Sequence, residues 1–70
     1  MEPQEVLTDI RRSLHELAQP LAAMTGMVDL MLLEQGEDSP LFADIEIINE
    51  RLDKVLKIIA HIQDIIRAAT

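Results

Sequence analysis

Apolar residues recur along both halves of the chain at alternating spacings of three and four positions. A period of about 3.5 residues is typical of helices that pack along a shared seam. The pattern therefore predicts two long helices. The seam residues of the first half are Leu7, Ile10, Leu14, Leu17, Leu21, Met24, Val28 and Met31. Those of the second half are Leu41, Ile45, Ile48, Leu52, Val55, Ile59, Ile62, Ile66 and Ala69.

The segment QGEDSP, residues 35–40, separates the two seams. Gly36 is suited to end the first helix, and Ser39 with Pro40 suits the N-cap and first position of the second. We therefore expect an all-α fold, an antiparallel helical hairpin that forms a single domain over residues 1–70. Its first helix should span about residues 3–35, its turn about 35–40 and its second helix about 40–69.

A partner chain is the expected source of stability for so short a hairpin. A chain of 70 residues without cysteine has neither a disulfide nor a thiolate zinc site to compensate for a small core. Further apolar residues lie beside the seams, where a single hairpin leaves large patches exposed. These residues are Leu30, Leu32, Leu33, Ile47, Leu56, Ile58 and Ile65. We expect two copies to join as a homodimeric four-helix bundle with coiled-coil packing.

The charge of the chain argues against several partners. With 13 acidic and six basic residues the formal net charge is −7, and the basic residues form no patch that would hold nucleic acid or an anionic membrane. No apolar run approaches the roughly 20 residues that span a bilayer, and the first residues lack the pattern of a signal peptide. We expect no nucleic-acid partner, no direct membrane insertion and a cytoplasmic location.

The stretch HELAQPLAAMTG, residues 15–26, places a proline inside the first predicted helix. Pro20 removes one backbone hydrogen bond and crowds the preceding turn, at a cost of about 3 kcal/mol. His15 follows the seam residue Leu14 and has polar or small helical neighbours, so its imidazole should be open to a large partner. Those neighbours are Arg11, Arg12, Ala18 and Gln19. An exposed helical histidine usually has no special role, and His61 in the second helix is interpreted in that way.

This stretch resembles the phosphoacceptor box of sensor histidine kinases, in which histidine is followed by an acidic residue, an apolar residue, two variable positions and Pro-Leu. The matching residues are His15, Glu16, Leu17, Pro20 and Leu21. It is most similar to the subgroup that reads H-E-[LI]-N-Q-P-L-A-A, from which it departs only at Ala18. The dimerisation and histidine phosphotransfer (HisKA-type) domain of these two-component kinases is a helical hairpin that dimerises. The resemblance covers essentially the whole chain.

The resemblance implies a role for each residue of the box. His15 would accept phosphate from ATP, bound with Mg by a separate ATP-binding kinase domain, and pass it to an aspartate in a response regulator receiver domain. Glu16 would act as an acid or base, or orient the histidine ring. Gln19 lies where related kinases carry the residue that orients a hydrolytic water, which makes it a possible phosphatase position. Pro20 would loosen the helix so that it can rearrange between signalling states.

The chain itself is expected to bind no cofactor. Its only glycines are Gly26 and Gly36, too few for the glycine-rich motifs of the family's ATP-binding domain, so the chain alone should not phosphorylate itself. Two alternatives stay open: a free-standing dimeric histidine phosphotransferase, and a purely structural helical assembly module. No metal site is expected, because the only two histidines lie on different predicted helices.

Overall fold

The computed structural model describes residues 2–69 and shows two helices, α1 (Pro3–Gln35) and α2 (Phe42–Ala69). They pack side by side as a hairpin, and none of the described residues forms a strand. The described part of the chain is an elongated rod of 54 × 16 × 13 Å. The predicted all-α hairpin is therefore confirmed.

The ends of the helices follow from their capping residues. Gly36 ends α1 with φ 71° and ψ 164°, and its amide donates to the Leu32 carbonyl at 3.3 Å. Before α2, the Ser39 hydroxyl oxygen accepts a hydrogen bond from the Leu41 amide at 3.2 Å, as an N-cap serine does. The Ile45 amide bonds to the Leu41 carbonyl at 3.0 Å, and α2 begins at Phe42 rather than at residue 40. The turn is thus longer than predicted because residues 40 and 41 still belong to it.

The two glycines should respond in opposite directions to the same substitution. Gly36→Ala is expected to lower the free energy of unfolding by about 1–3 kcal/mol, because its positive φ is strained for any residue with a Cβ. Gly26→Ala should raise it by about 0.5–1 kcal/mol, since Gly26 lies within α1 and no atom lies within 4 Å of an added Cβ. Urea denaturation at equal protein concentration measures both. A Gly36→Ala variant as stable as the Gly26→Ala variant would contradict this account of the turn.

Each predicted seam divides into two rows in the structure. One row faces the other helix of the hairpin, and its residues are buried or half-buried: Leu7, Leu14, Leu21 and Val28 in α1, and Ile45, Leu52, Ile59 and Ile66 in α2. Val28, Ile45 and Leu52 form the central cluster, against which Leu21 and Leu32 pack. The hairpin interior thus takes every second residue of each seam, and Ile62 is half-buried as well.

Six of the other seam residues form an exposed stripe that we call the apolar face. Its members are between 39% and 50% exposed: Ile10, Leu17, Met24, Met31, Ile48 and Val55. In both helices these residues come three positions after a residue of the inward row. In an antiparallel helix pair, a two-fold axis perpendicular to the plane of the two helices exchanges one helix with the other. Residues that come three positions after the inward row therefore lie on the same side of the hairpin in α1 and in α2. The described hairpin thus presents one apolar side to solvent.

Three ion pairs among the described residues are local and exposed to solvent. Each of the three joins residues three or four apart on one helix, as Lys57 Nζ does with Asp53 Oδ2 at 2.8 Å. The hydrogen bond to Asp53, aided by the charge attraction, raises the pKa of Lys57. Pairs as exposed as these contribute little to the stability of a helix, because water screens the attraction between the charges. The stability of the hairpin therefore rests on its apolar packing.

Candidate functional site

His15 lies on α1 and is exposed to solvent. It directly follows the inward-facing Leu14, and it is two residues from Leu17 of the apolar face. Residues two apart on a helix differ by about 200° around its axis, so His15 and Leu17 point to opposite sides of α1. The predicted exposure of His15 is confirmed, and the imidazole lies on the side of the hairpin away from the apolar face.

His15 forms one wall of a surface cleft between the two helices, which we call the arginine cleft. Its lining residues are Thr8, Arg11, Arg12 and His15 from α1, and Gln63 and Arg67 from α2. Arg11 and Arg12 were expected as helical neighbours of His15, whereas Ala18 and Gln19 do not line the cleft. Arg67 and Gln63 were not predicted from the sequence to lie near His15. The antiparallel pairing of the inward rows, which sets residues near 66 beside residues near 7, was the signal that could have found them.

The arginine cleft is a cationic site in an acidic protein. It gathers three of the six basic side chains, and none of its lining residues is acidic. The sequence alone predicted no basic patch, because the residues that form this one are distant along the chain. Two carboxylates stand beside the cleft: Arg12 Nη1 lies 3.7 Å from Asp9 Oδ1, and Arg67 Nη1 lies 3.3 Å from Asp64 Oδ1.

Glu16 is exposed and follows His15 directly in α1. Its spacing of four residues would allow an ion pair with Arg12, but Arg12 pairs with Asp9 instead. Among the described residues, no ion pair or side-chain hydrogen bond engages the Glu16 carboxylate. Adjacent residues on a helix point about 100° apart, so contact between Glu16 and the imidazole requires rotamers that turn the two side chains toward each other.

Pro20 lies within α1, which continues through it from Pro3 to Gln35. A proline at this position has no N–H for the carbonyl of Glu16, four residues earlier, and its ring crowds that carbonyl. The helical hydrogen-bond ladder is therefore interrupted immediately after His15. Gln19 is exposed beside the proline. Further along α1, the Thr25 hydroxyl donates a hydrogen bond to the Leu21 carbonyl at 3.0 Å.

His61 provides an internal comparison for His15. It is exposed on α2, and it does not line the arginine cleft. No three His, Cys, Asp or Glu side chains of residues 2–69 are placed so that they could hold a metal ion. The two histidines thus share solvent exposure and differ in their surroundings.

No protein-family model, curated protein or solved structure matches this chain. Neither α1 nor α2 contains a stretch that is both long and apolar enough to cross a membrane.

Proposed function

We propose that this chain is the dimerisation and phosphoacceptor domain of a two-component sensor histidine kinase, with His15 as the phosphorylated residue. The observation that carries the proposal is the placement of His15. It is exposed on the side of an antiparallel hairpin opposite to an apolar face, and it begins a stretch that resembles the phosphoacceptor box of these kinases.

Dimerisation through the apolar face is part of the proposal. A second copy would cover the stripe formed by residues such as Leu17, Met24 and Ile48, which are about half exposed in the single hairpin. Burial of the half of each such side chain that is still exposed contributes roughly 1 kcal/mol. Two hairpins joined in this way form a four-helix bundle with His15 on its outside. Leu30 and Leu33, expected beside the seam, lie away from this face and would stay exposed.

The proposed chemistry needs an accessible neutral imidazole. A ring nitrogen of His15 attacks the γ-phosphorus of ATP held with Mg by a separate kinase domain, the bond to the bridging oxygen breaks, and ADP leaves. An aspartate of a receiver domain then attacks the same phosphorus, and the bond between nitrogen and phosphorus breaks. Both partners are large domains. The exposure of His15 supports the proposal because each of them must reach the imidazole in turn.

Three neighbours of His15 receive roles in this proposal. Glu16 orients the imidazole or takes its proton, for which its unengaged carboxylate is available. Gln19 stands near enough along α1 to position a water against the phosphorylated receiver. Pro20 weakens the helix one turn beyond His15, so that α1 can bend there when the signalling state changes.

His15→Gln is expected to abolish phosphorylation of the chain. The experiment incubates the protein with ATP labelled on the γ-phosphate and a lysate of the cells from which the chain comes. Label should be found on the wild-type chain in an acid-labile, base-stable form, as expected for phosphohistidine. It should be absent from His15→Gln, because glutamine has no nucleophilic ring nitrogen.

The matched control is His61→Gln, which removes the other exposed histidine and should leave labelling unchanged. A known histidine kinase labelled in the same lysate shows that the conditions support the reaction. Acid-stable label, or label that survives His15→Gln, would contradict the proposal. A dimer that takes no label in the presence of that control would favour the structural assembly module instead.

A further inference from the structure

We propose that the arginine cleft is a binding site for a phosphoryl oxyanion, held by Arg11, Arg12 and Arg67 beside the imidazole of His15. The proposal rests on the proposed function where it names the phosphoryl group of phosphohistidine as the natural occupant. Binding of a phosphate-type anion by the cleft is inferred from the structure without the proposed function.

The composition of the cleft is the first argument. The chain carries a net charge of −7, and yet half of its basic side chains line this one cleft together with no acidic residue. Guanidinium groups present several N–H donors in a planar fork that matches the oxygens of phosphate. Thr8 and Gln63 add a hydroxyl and an amide to the lining. The lining of the cleft therefore carries hydrogen-bond donors on both helices.

The placement of the arginines is the second argument. Arg11 and Arg12 lie one helical turn before His15, and Arg67 reaches the same cleft from α2. Side chains carried by two packed helices are held more rigidly than those of a loop. An anion bound among them lies within the cleft that His15 itself lines. His61 has no such surroundings, because it does not line the arginine cleft.

Two neighbouring carboxylates, those of Asp9 and Asp64, compete with an anion for Arg12 and Arg67. The side chains of Arg12 and Asp9 are 67% and 52% exposed, and those of Arg67 and Asp64 are 76% and 66% exposed. Ion pairs exposed to this degree are worth about 0–1 kcal/mol, so an anion can displace them. Arg67 also lies in the last turn of α2, where a cation stabilises the helix end. The test must therefore separate anion binding from helix stabilisation.

The first experiment titrates the protein with inorganic phosphate and follows the ring signals of both histidines by NMR at constant ionic strength. We expect saturable shifts at His15 and none at His61. Arg67→Gln should weaken binding about tenfold, which corresponds to about 1.4 kcal/mol. Arg51→Gln is the matched control, because Arg51 is the one arginine outside the cleft. Asp64→Asn should strengthen phosphate binding because it removes a carboxylate that competes for Arg67. A variant that only loosened the end of α2 would weaken phosphate binding instead.

The second experiment replaces the kinase by phosphoramidate, a small phosphoryl donor. A ring nitrogen attacks its phosphorus, the bond from phosphorus to nitrogen breaks, and ammonia leaves with the electron pair of that bond. We expect His15 to react at least about fivefold faster than His61, and the difference to vanish in Arg67→Gln and Arg12→Gln, since charge-assisted hydrogen bonds orient the donor. Circular dichroism verifies that each variant is still helical.

The outcomes separate this inference from the proposed function. Equal shifts of both histidines, or unchanged binding in Arg67→Gln, would overturn the arginine cleft as an anion site even if cellular kinases label His15. Phosphate binding at the cleft without any labelling in lysate would support the inference and count against the proposed function.

Discussion

Leu17→Glu is expected to convert a dimer of this chain into monomers. Leu17 is 50% exposed in the hairpin and lies in the middle of the apolar face. In a symmetric dimer the substitution acts in both copies, and each buried carboxylate loses its hydration without gaining a partner. We expect the dissociation constant to rise at least about 100-fold, or about 2.7 kcal/mol. Sedimentation equilibrium over the micromolar range measures the change.

Ala22→Glu is the matched control for Leu17→Glu. It adds the same charge to the same helix, but Ala22 directly follows the inward-facing Leu21, as His15 follows Leu14, and so lies on the side opposite the apolar face. Its dissociation constant should stay within about twofold of wild type, a difference below about 0.5 kcal/mol. Equal weakening by both variants, or a wild-type chain that sediments as a monomer, would refute dimerisation through the apolar face.

Ile45→Ala is expected to lower the free energy of unfolding by about 2–5 kcal/mol. Ile45 is 4% exposed and belongs to the cluster with Val28 and Leu52 that holds the two helices together near the turn. The loss combines the removed apolar contacts with the cavity that remains. For a domain of this size such a loss is a large share of the total stability. Thermal and urea denaturation, followed by circular dichroism, measure it.

Leu33→Ala provides the comparison for Ile45→Ala. Leu33 is 81% exposed and lies outside both the hairpin interior and the apolar face, so its truncation should change stability by no more than about 0.5 kcal/mol. A loss at Leu33 as large as that at Ile45 would mean that a further surface covers this side of α1.

Local features of the fold were predictable because neighbouring residues decide them. The end of α1 at Gln35 followed from Gly36, whose positive φ only glycine adopts readily. The start of α2 lies two residues later than predicted, at Phe42, because Ser39 caps a tight turn before the regular hydrogen-bond ladder begins at Leu41. Helix boundaries commonly shift by one or two residues for this reason.

The candidate site was only partly predictable. The exposure of His15 and its proximity to Arg11 and Arg12 follow from helical spacing alone. The contribution of Arg67 does not, because it lies 52 residues after His15 in the sequence, and the two residues line one cleft only because α2 packs against α1. For the same reason the sequence indicated no basic patch, although the hairpin assembles one.

The sequence by itself determined that this chain forms two helices joined by a short turn, and that one helix carries a stretch resembling a phosphoacceptor box. Period, capping residues and motif are all local properties of the chain. Only the tertiary structure decided which residues of each seam face inward, which remain as the apolar face, and that Arg67 lines the same cleft as His15. These depend on how far α1 and α2 rotate about their axes when they pack, and the 3.5-residue period allows more than one such rotation.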